Sequence, residues 1–143
     1  MDIRTVTPTF AALPRQLTVA DVPALAAAGF VRILNNRPDE EAAPEDRGAA
    51  IAAACQAAGL DYVANPCGRA GINREMIEAQ RAAMDAPGPV LGYCRSGTRS
   101  TTLWALAQAG IMPADEIITT AAKAGYDLAH LRGMIEALAE GRG

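Results

Sequence analysis

The sequence has little of the positive charge that binds nucleic acids or membranes, and few residues that hold metals. It contains one lysine, Lys123, and one histidine, His130, and its formal net charge is −3. Without a run of basic residues there is no electrostatic case for nucleic acid or for an anionic membrane surface as a partner. A lone histidine with scattered cysteines does not make a zinc site, so we expect neither a metal nor a cofactor.

Long apolar runs and paired cysteines are also missing. No stretch approaches the roughly 20 apolar residues that span a bilayer, and the N-terminus lacks the basic and apolar regions of a secretory signal. The sequence has three cysteines, Cys55, Cys67 and Cys94, and no two of them are spaced as a C-x-x-C pair. An odd number of cysteines without such a pair does not favour a disulfide framework. We therefore expect a protein of the reducing cytoplasm.

Aromatic residues make up only 4% of the chain, whereas hydrophobic residues together reach 50%, many of them alanine. This composition suits helices that pack closely on a sheet, and it is not that of a disordered chain. With 143 residues, the chain is long enough for one sizeable core, and we predict a single domain over residues 1–143.

Short apolar runs alternate with helical patterns along the chain. Strands are predicted over 3–10, 30–35, 60–63 and 89–93, and helices over 18–29, 44–58, 73–84, from 98 onward, 114–122 and 128–139. Strands and helices that alternate in units of this size indicate parallel crossovers. We predict an α/β fold, a three-layer sandwich with a mostly parallel sheet of four to five strands. Ligands of such sheets bind beyond the carboxyl ends of the strands, where the loops 35–41, 65–73 and 94–100 meet.

The candidate catalytic segment runs from Cys94 to Ser100 and reads Cys-Arg-Ser-Gly-Thr-Arg-Ser. It joins a predicted strand to a predicted helix, and the free N–H groups and positive dipole of a helix N-terminus attract anions. A cysteine at that place is expected to be a thiolate nucleophile. Arg99 is predicted to clamp an oxyanion, and the hydroxyl of Ser100 to bind the thiolate and support a leaving sulfur.

The other residues of this segment are predicted to bind substrate. Gly97 allows the backbone to turn its N–H groups inward, and Ser96 and Thr98 are expected to contribute theirs. Arg95 either provides a second positive charge for an anionic substrate or is a solvated surface residue.

The segment resembles the catalytic loop of single-domain rhodanese sulfurtransferases, with four residues between cysteine and arginine, whereas tyrosine phosphatases place five there. The Asp-Val-Arg and Gly-His-Ile-x-Gly-Ala segments of rhodaneses are absent. Instead, residues 26–41 and 57–66 are similar to the phosphatase-like domain of beta-lactamase-hydrolase-like proteins, a bacterial family with a dual-specificity-phosphatase fold. This resemblance covers about residues 3–138 and implies a tyrosine-phosphatase-like fold. Some members are fused to a persulfide dioxygenase and many are labelled sulfurtransferases, which implies a separate dioxygenase as a partner here.

Two chemistries fit a cysteine and an arginine in such a loop. A phosphatase needs a general acid for its leaving oxygen, but residues 65–73, where it is normally placed, contain no carboxylate. Asp39, Glu40 or Glu41 would have to replace it from the preceding loop, unless these residues only form a polar turn. Thiosulfate instead releases sulfite, which leaves without a proton.

We therefore predict an enzyme, a sulfurtransferase that moves sulfane sulfur from a small anionic donor to a low-molecular-weight thiol through a persulfide on Cys94. A phosphatase with a phosphocysteine intermediate and a non-catalytic anion-binding module remain as alternatives. Arg37 and Arg69 flank the same mouth and are candidates for substrate contact. Cys67 either accepts sulfur from Cys94, protects it as a disulfide, or fills space as a small apolar residue. Cys55 is expected to belong to the core.

Overall fold

The sheet has five strands in the order β1-β2-β5-β3-β4. This computed structural model describes residues 1–142, with the backbone alone for Arg142, so that Gly143 of the predicted domain lies outside the described residues. The strands are β1 (Arg4–Thr7), β2 (Phe10–Leu13), β3 (Arg32–Asn35), β4 (Asp61–Ala64) and β5 (Val90–Tyr93). Strands β2, β5, β3 and β4 are parallel, and β1 is antiparallel to β2. The predicted α/β class with a mostly parallel sheet is confirmed.

Helices cover both faces of the sheet. They are α1 (Val22–Ala27), α2 (Gly48–Ala58), α3 (Arg74–Met84), α4 (Thr98–Ala107), α5 (Ala114–Lys123) and α6 (Arg132–Arg142). Apolar residues of α1 and α2 pack on one face, against Leu13, Ile33 and Leu91. Residues of α3 to α6 pack on the other face, together with Phe10 and Ala12. The side chains of successive strand residues thus reach opposite cores, as the pleat of a strand requires.

Several predicted boundaries were wrong, and the helix predicted from residue 18 begins only at Val22, after the short 3-10 turn Val19–Asp21. Residues 3–10 form not one strand but the first half of a hairpin, because the Thr7 hydroxyl accepts hydrogen bonds from the N–H groups of Thr9 and Phe10 and turns the chain back. Helix α2 begins at Gly48 rather than Pro44, since Arg47 is extended. The last helix begins at Arg132 instead of Leu128, after a short 3-10 turn.

A network of buried amide side chains fixes the loops at the carboxyl ends of β3 and β4. Gln80 of α3 accepts hydrogen bonds from Asn36 at 2.8 Å and from Asn65 at 2.9 Å, and it donates one back to Asn36 at 3.1 Å. The backbone continues these links, because Asn36 donates to the Tyr93 carbonyl and accepts from the N–H of Cys67. Buried amides that are fully paired in this way hold a single geometry. The three predicted loops are therefore fixed relative to one another at one edge of the sheet.

Helix α4 packs closely against β5 at Gly92. A side chain at Gly92 would meet the Phe10 ring at 3.0 Å and Cβ of Ser100 at 3.2 Å, so the absence of Cβ there allows the helix to approach the strand. Phe10 also stacks on Trp104, with ring centroids 6.3 Å apart. This close packing brings the start of α4 directly beside the end of β5. No helix within residues 1–142 has the length and apolar character needed to cross a bilayer.

Candidate active site

Cys94 lies at the bottom of a loop that joins β5 to α4. The loop curls around its sulfur, and the N–H of Gly97 donates a hydrogen bond to Sγ at 3.2 Å. Gly97 has φ +89°, a conformation that costs an L side chain energy. A Cβ atom at this position would also collide with the hydroxyl of Tyr126. Only glycine therefore allows the loop to close on the sulfur in this way.

The loop amides determine the ionisation of Cys94. Burial, which leaves the residue only 1% exposed, raises the pKa of the thiol. The backbone N–H groups of Ser100, Ser96, Arg99 and Gly97 each lower it, and together they outweigh the burial, so the pKa lies below its ordinary value. Hydrogen bonds to the charged form favour that form. The geometry thus favours the thiolate form of Cys94, and its role as the nucleophile stays a prediction.

Arg99 points into the same mouth, where a carboxylate holds it. Its two terminal nitrogens donate to the two carboxylate oxygens of Glu41 at 3.0 and 2.7 Å, and one of them also donates to the carbonyl of Cys67 at 2.6 Å. The hydrogen bonds from Arg99 lower the pKa of Glu41. In this structure the predicted oxyanion clamp therefore binds an oxyanion of the protein itself.

A second arginine holds Glu41 from the other side. Arg37 donates to the Glu41 carbonyl at 2.6 Å and to Oε1 of Gln16 at 2.7 Å. Its Nε lies 3.6 Å from the Glu41 carboxylate, too far for a hydrogen bond, and is buried without a partner among the described residues. Arg37 was predicted to contact substrate, and the structure places it against Glu41 at the edge of the site.

The remaining predicted residues of the loop differ in their surroundings. The hydroxyl of Ser100 is buried and has no hydrogen-bond partner within residues 1–142, so that this residue acts on Cys94 through its backbone N–H. The hydroxyls of Ser96 and Thr98 lie 3.1 Å apart at the exposed rim. Arg95 is exposed and makes no ion pair in the described part of the chain.

The other two cysteines are both free and buried. The pKa of Cys67 is raised, mainly by burial, although the charge of Arg99 lowers it; the charge of Cys94 also raises it, which places the two sulfurs in one electrostatic environment. Cys55 lies in α2 within the apolar core, as expected, and burial raises its pKa to about 11.

A cleft of about 1130 Å³ opens beside the loop rather than inside it. Small residues line the cleft from the start of α2 and from the end of β4 and the loop after it, and ionisable residues line it mainly from the loop after β3. The ionisable residues among those that line it are Arg37, Asp39, Glu40, Glu41, Tyr62 and Arg69. Asp39 accepts a hydrogen bond from the N–H of Gly48, and Arg69 is exposed and unpaired among the described residues. Because Glu41 both lines the cleft and binds Arg99, it stands between the cleft and the nucleophile loop.

Sequence reasoning missed one residue that supports the loop. Tyr126, between α5 and α6, donates a hydrogen bond from its hydroxyl to the Ser96 carbonyl at 3.0 Å, and its ring is packed in the core with α4 to α6. No local pattern identifies such a residue, since it reaches the loop from 30 positions away. The partnership of Glu41 with Arg99, across 58 positions, has no local signal either.

Comparisons with known proteins agree with this architecture. The profile of the family described as “Beta-lactamase hydrolase-like protein, phosphatase-like domain” matches residues 2–111. A beta-lactamase hydrolase-like protein of Agrobacterium fabrum is 36% identical over 116 residues, which make up 79% of this chain and 27% of that protein. The chain thus spans about a quarter of the length of the curated relatives it matches.

Solved structures extend the comparison to the fold. A protein of Neisseria meningitidis Z2491, named a “putative phosphatase”, is 33% identical with a TM-score of 0.80, and the match covers 96% of this chain and 99% of that one. Tk-PTP in its active form is 14% identical with a TM-score of 0.70, over 99% and 97% of the two chains, and so shows the fold alone. The match over residues 2–111, together with the cysteine loop at the end of β5, establishes that this chain belongs to the family of the phosphatase-like domain of beta-lactamase hydrolase-like proteins.

Proposed function

We propose that the chain is a cysteine-dependent phosphatase. The thiolate of Cys94 attacks the phosphorus of a phosphate monoester, the ester oxygen leaves, and water then hydrolyses the phosphocysteine and regenerates the thiolate. Arg99 and the amides of the loop, together with the predicted contributions of Ser96, Gly97 and Thr98, bind the phosphoryl oxygens. The observation that carries the proposal is a cysteine whose sulfur accepts a hydrogen bond from a loop amide and whose pKa the loop amides lower. A solved structure 33% identical to this chain is named a putative phosphatase, which supports it.

The leaving group limits which esters are hydrolysed. The loop 65–73 contains no carboxylate, and Glu41 is held as an anion by Arg99, so neither supplies a proton to the leaving oxygen. An aryl oxygen leaves more easily than an alkyl oxygen without a proton donor. We therefore expect aryl phosphates to be hydrolysed much faster than alkyl phosphates.

The charge of the cleft further restricts the class of substrate that we expect. Three carboxylates, those of Asp39, Glu40 and Glu41, line it with two arginines, and Arg37 is already engaged. The glycines and alanines on its α2 and β4 sides suit an uncharged body, whereas the carboxylates repel additional phosphates. We expect leaving groups with a neutral ring to be preferred to polyphosphates, with Arg69 and Arg95 available at the rim.

A second candidate, sulfur transfer, is favoured by the same lack of a proton donor in the loop 65–73 and at Glu41. The Cys94 thiolate would attack the outer sulfur of thiosulfate, the S–S bond would break, and sulfite would leave with the bonding electrons, so that no proton is needed. A thiolate of a small thiol would then attack the outer sulfur of the persulfide and release Cys94. The rhodanese-type spacing of the loop fits this reaction, and a separate persulfide dioxygenase is the partner that would consume its product. Ser100 would support the leaving sulfur, and Cys67 is the candidate relay within the chain.

One experiment separates the candidates. The protein is incubated with an aryl phosphate and, separately, with thiosulfate, and phosphate release and the mass of the protein are measured. Phosphate turnover that Cys94→Ser abolishes supports the phosphatase. A gain of one sulfur atom on Cys94 with release of sulfite supports the transferase instead, and Cys67→Ala then tests the relay. If neither response is observed, the non-catalytic anion-binding module remains as the function.

A further inference from the structure

We propose that Glu41 is a resident competitor of the substrate at Arg99, and that by this competition it determines which anions the site admits. The proposal rests on the proposed function only in taking Arg99 as the group that binds the anion of the substrate. It applies equally to a phosphoryl group and to thiosulfate, because both present several oxygens on one tetrahedral centre.

Both terminal nitrogens of Arg99 are engaged in the resting state. Each of its terminal nitrogens donates to a different oxygen of Glu41, at 3.0 and 2.7 Å. One terminal nitrogen also binds the Cys67 carbonyl at 2.6 Å. A forked guanidinium binds one carboxylate or phosphoryl group with a given pair of N–H groups. An incoming oxyanion that binds this pair of N–H groups must therefore replace Glu41 rather than join it.

Glu41 has a second position available without leaving the site. Nε of Arg37 lies 3.6 Å from its Oε1, and this nitrogen is buried and lacks a hydrogen-bond partner among the described residues. Arg37 also holds the Glu41 carbonyl at 2.6 Å, which anchors the backbone while the side chain turns. When the substrate takes Arg99, the carboxylate satisfies the N–H of Arg37 and remains paired. The exchange thus leaves the carboxylate of Glu41 paired with a cation.

The competition selects for charge and shape. A monoanionic carboxylate gains little by replacing another carboxylate at the fork of Arg99. A tetrahedral dianion also reaches the amides of the Cys94 loop, which already favour negative charge there. Glu41 therefore admits doubly charged tetrahedral oxyanions and discriminates against carboxylates. This makes Glu41 a residue that sets specificity rather than one that takes part in the reaction.

The test measures anion binding without turnover. Inorganic phosphate is titrated against the rate at which iodoacetamide alkylates Cys94, in the unaltered chain and in Glu41→Gln. We expect phosphate to bind about fivefold more tightly to Glu41→Gln, the range of a well-formed ion pair at a partly exposed site. Glu40→Gln is the matched control, because Glu40 is exposed and unpaired within the described residues. Its effect should stay below about twofold, since it removes the same charge only at a distance.

Two further variants separate competition from positioning. Glu41→Asp keeps the charge but shortens the reach of the carboxylate to Arg99, so it should also tighten phosphate binding. This variant replaces Glu41→Gln in the test if Glu41→Gln does not fold. Arg37→Lys should weaken phosphate binding when Glu41 is present and have no effect in Glu41→Gln, because it removes the second position of the carboxylate.

Weaker phosphate binding in Glu41→Gln would mean that Glu41 orients Arg99, and would overturn the proposal. Equal effects of Glu41→Gln and Glu40→Gln would overturn it too, as would a failure of phosphate to protect Cys94 in every variant. The turnover assays with aryl phosphate and thiosulfate judge the proposed function separately, since the binding readout requires no reaction.

Discussion

Cys94 and Cys55 are both almost completely buried, yet the protein gives their thiols opposite acidities. Cys55 is 0% exposed in α2, and burial alone raises its pKa to about 11. Cys94 is 1% exposed, and its pKa is lowered, although burial by itself raises the pKa of Cys94 as it raises that of Cys55. What differs is the backbone around the two sulfurs: the helix amides near Cys55 bind helix carbonyls, whereas the amides after Cys94 face the sulfur. The backbone of one loop, and not exposure, thus distinguishes the acidity of Cys94 from that of Cys55.

The largest expected effect is the loss of the nucleophile. Cys94→Ser should reduce turnover at least about 1000-fold with whichever substrate the protein converts, aryl phosphate or thiosulfate, because a hydroxyl at that place is not ionised. Cys55→Ala, the matched change in the core, should retain activity and lower the free energy of unfolding by about 1 kcal/mol. Steady-state kinetics and chemical denaturation measure the two outcomes. Equal loss of activity in both variants would contradict the division of roles.

Removal of the guanidinium at the mouth should have the next largest effect. We expect Arg99→Met to lower kcat/KM about 100-fold, as the loss of a group that stabilises developing charge does. Arg95→Met is its control, because Arg95 lies on the same loop but is exposed and unpaired within the described residues. A comparable loss of kcat/KM in Arg95→Met would show that the anion is not bound by Arg99 alone and that Arg95 at the rim takes part.

Gly97→Ala tests whether the loop conformation creates the acidity of Cys94. The change forces a side chain into a left-handed backbone and against the Tyr126 hydroxyl, at a cost of about 1–3 kcal/mol. The displaced amides should raise the pKa of Cys94 and slow its alkylation at neutral pH. Gly29→Ala is the control, since Gly29 has φ +98° but open space around it. If both variants leave the pKa of Cys94 unchanged, the loop amides are not its cause.

The smallest expected effect comes from Tyr126→Phe. Loss of its hydrogen bond to the Ser96 carbonyl should cost about 1 kcal/mol of stability and raise the pKa of Cys94 slightly. In Gly97→Ala the same change should instead be beneficial, because it removes the hydroxyl that the new Cβ meets. The double variant should therefore be more stable than Gly97→Ala alone. Additive losses in thermal unfolding would show that the tyrosine does not confine the loop.

The sequence predicted the α/β class and the place of the cysteine loop because both depend on local patterns. Apolar runs punctuated by glycine mark the alternating elements. Asn73, the first residue of the helix predicted over 73–84, caps α3, since its side chain accepts a hydrogen bond from the N–H of Met76. The hairpin at Thr7 was missed since a hydroxyl, not a glycine pair, makes its turn. Local patterns therefore describe elements better than the turns that join them.

The surroundings of the site were beyond local patterns. Glu41, Tyr126 and Gln80 come from separate parts of the chain, and only tertiary packing brings them to the loops they hold. The choice between phosphate and sulfur chemistry also depends on such contacts. The loop 65–73 was expected to decide this choice, but the family comparison favours the phosphatase.

The most direct test of the central claim is a pH titration of the Cys94 thiolate by its ultraviolet absorbance, in a variant with alanine at Cys55 and Cys67. Absorbance reports ionisation regardless of how accessible the buried sulfur is. The amides of the loop predict a midpoint below that of an ordinary free thiol, and a shift to higher pH when Gly97→Ala is added. A midpoint at or above the ordinary value would show that burial prevails at Cys94 as it does at Cys55, and would contradict the account.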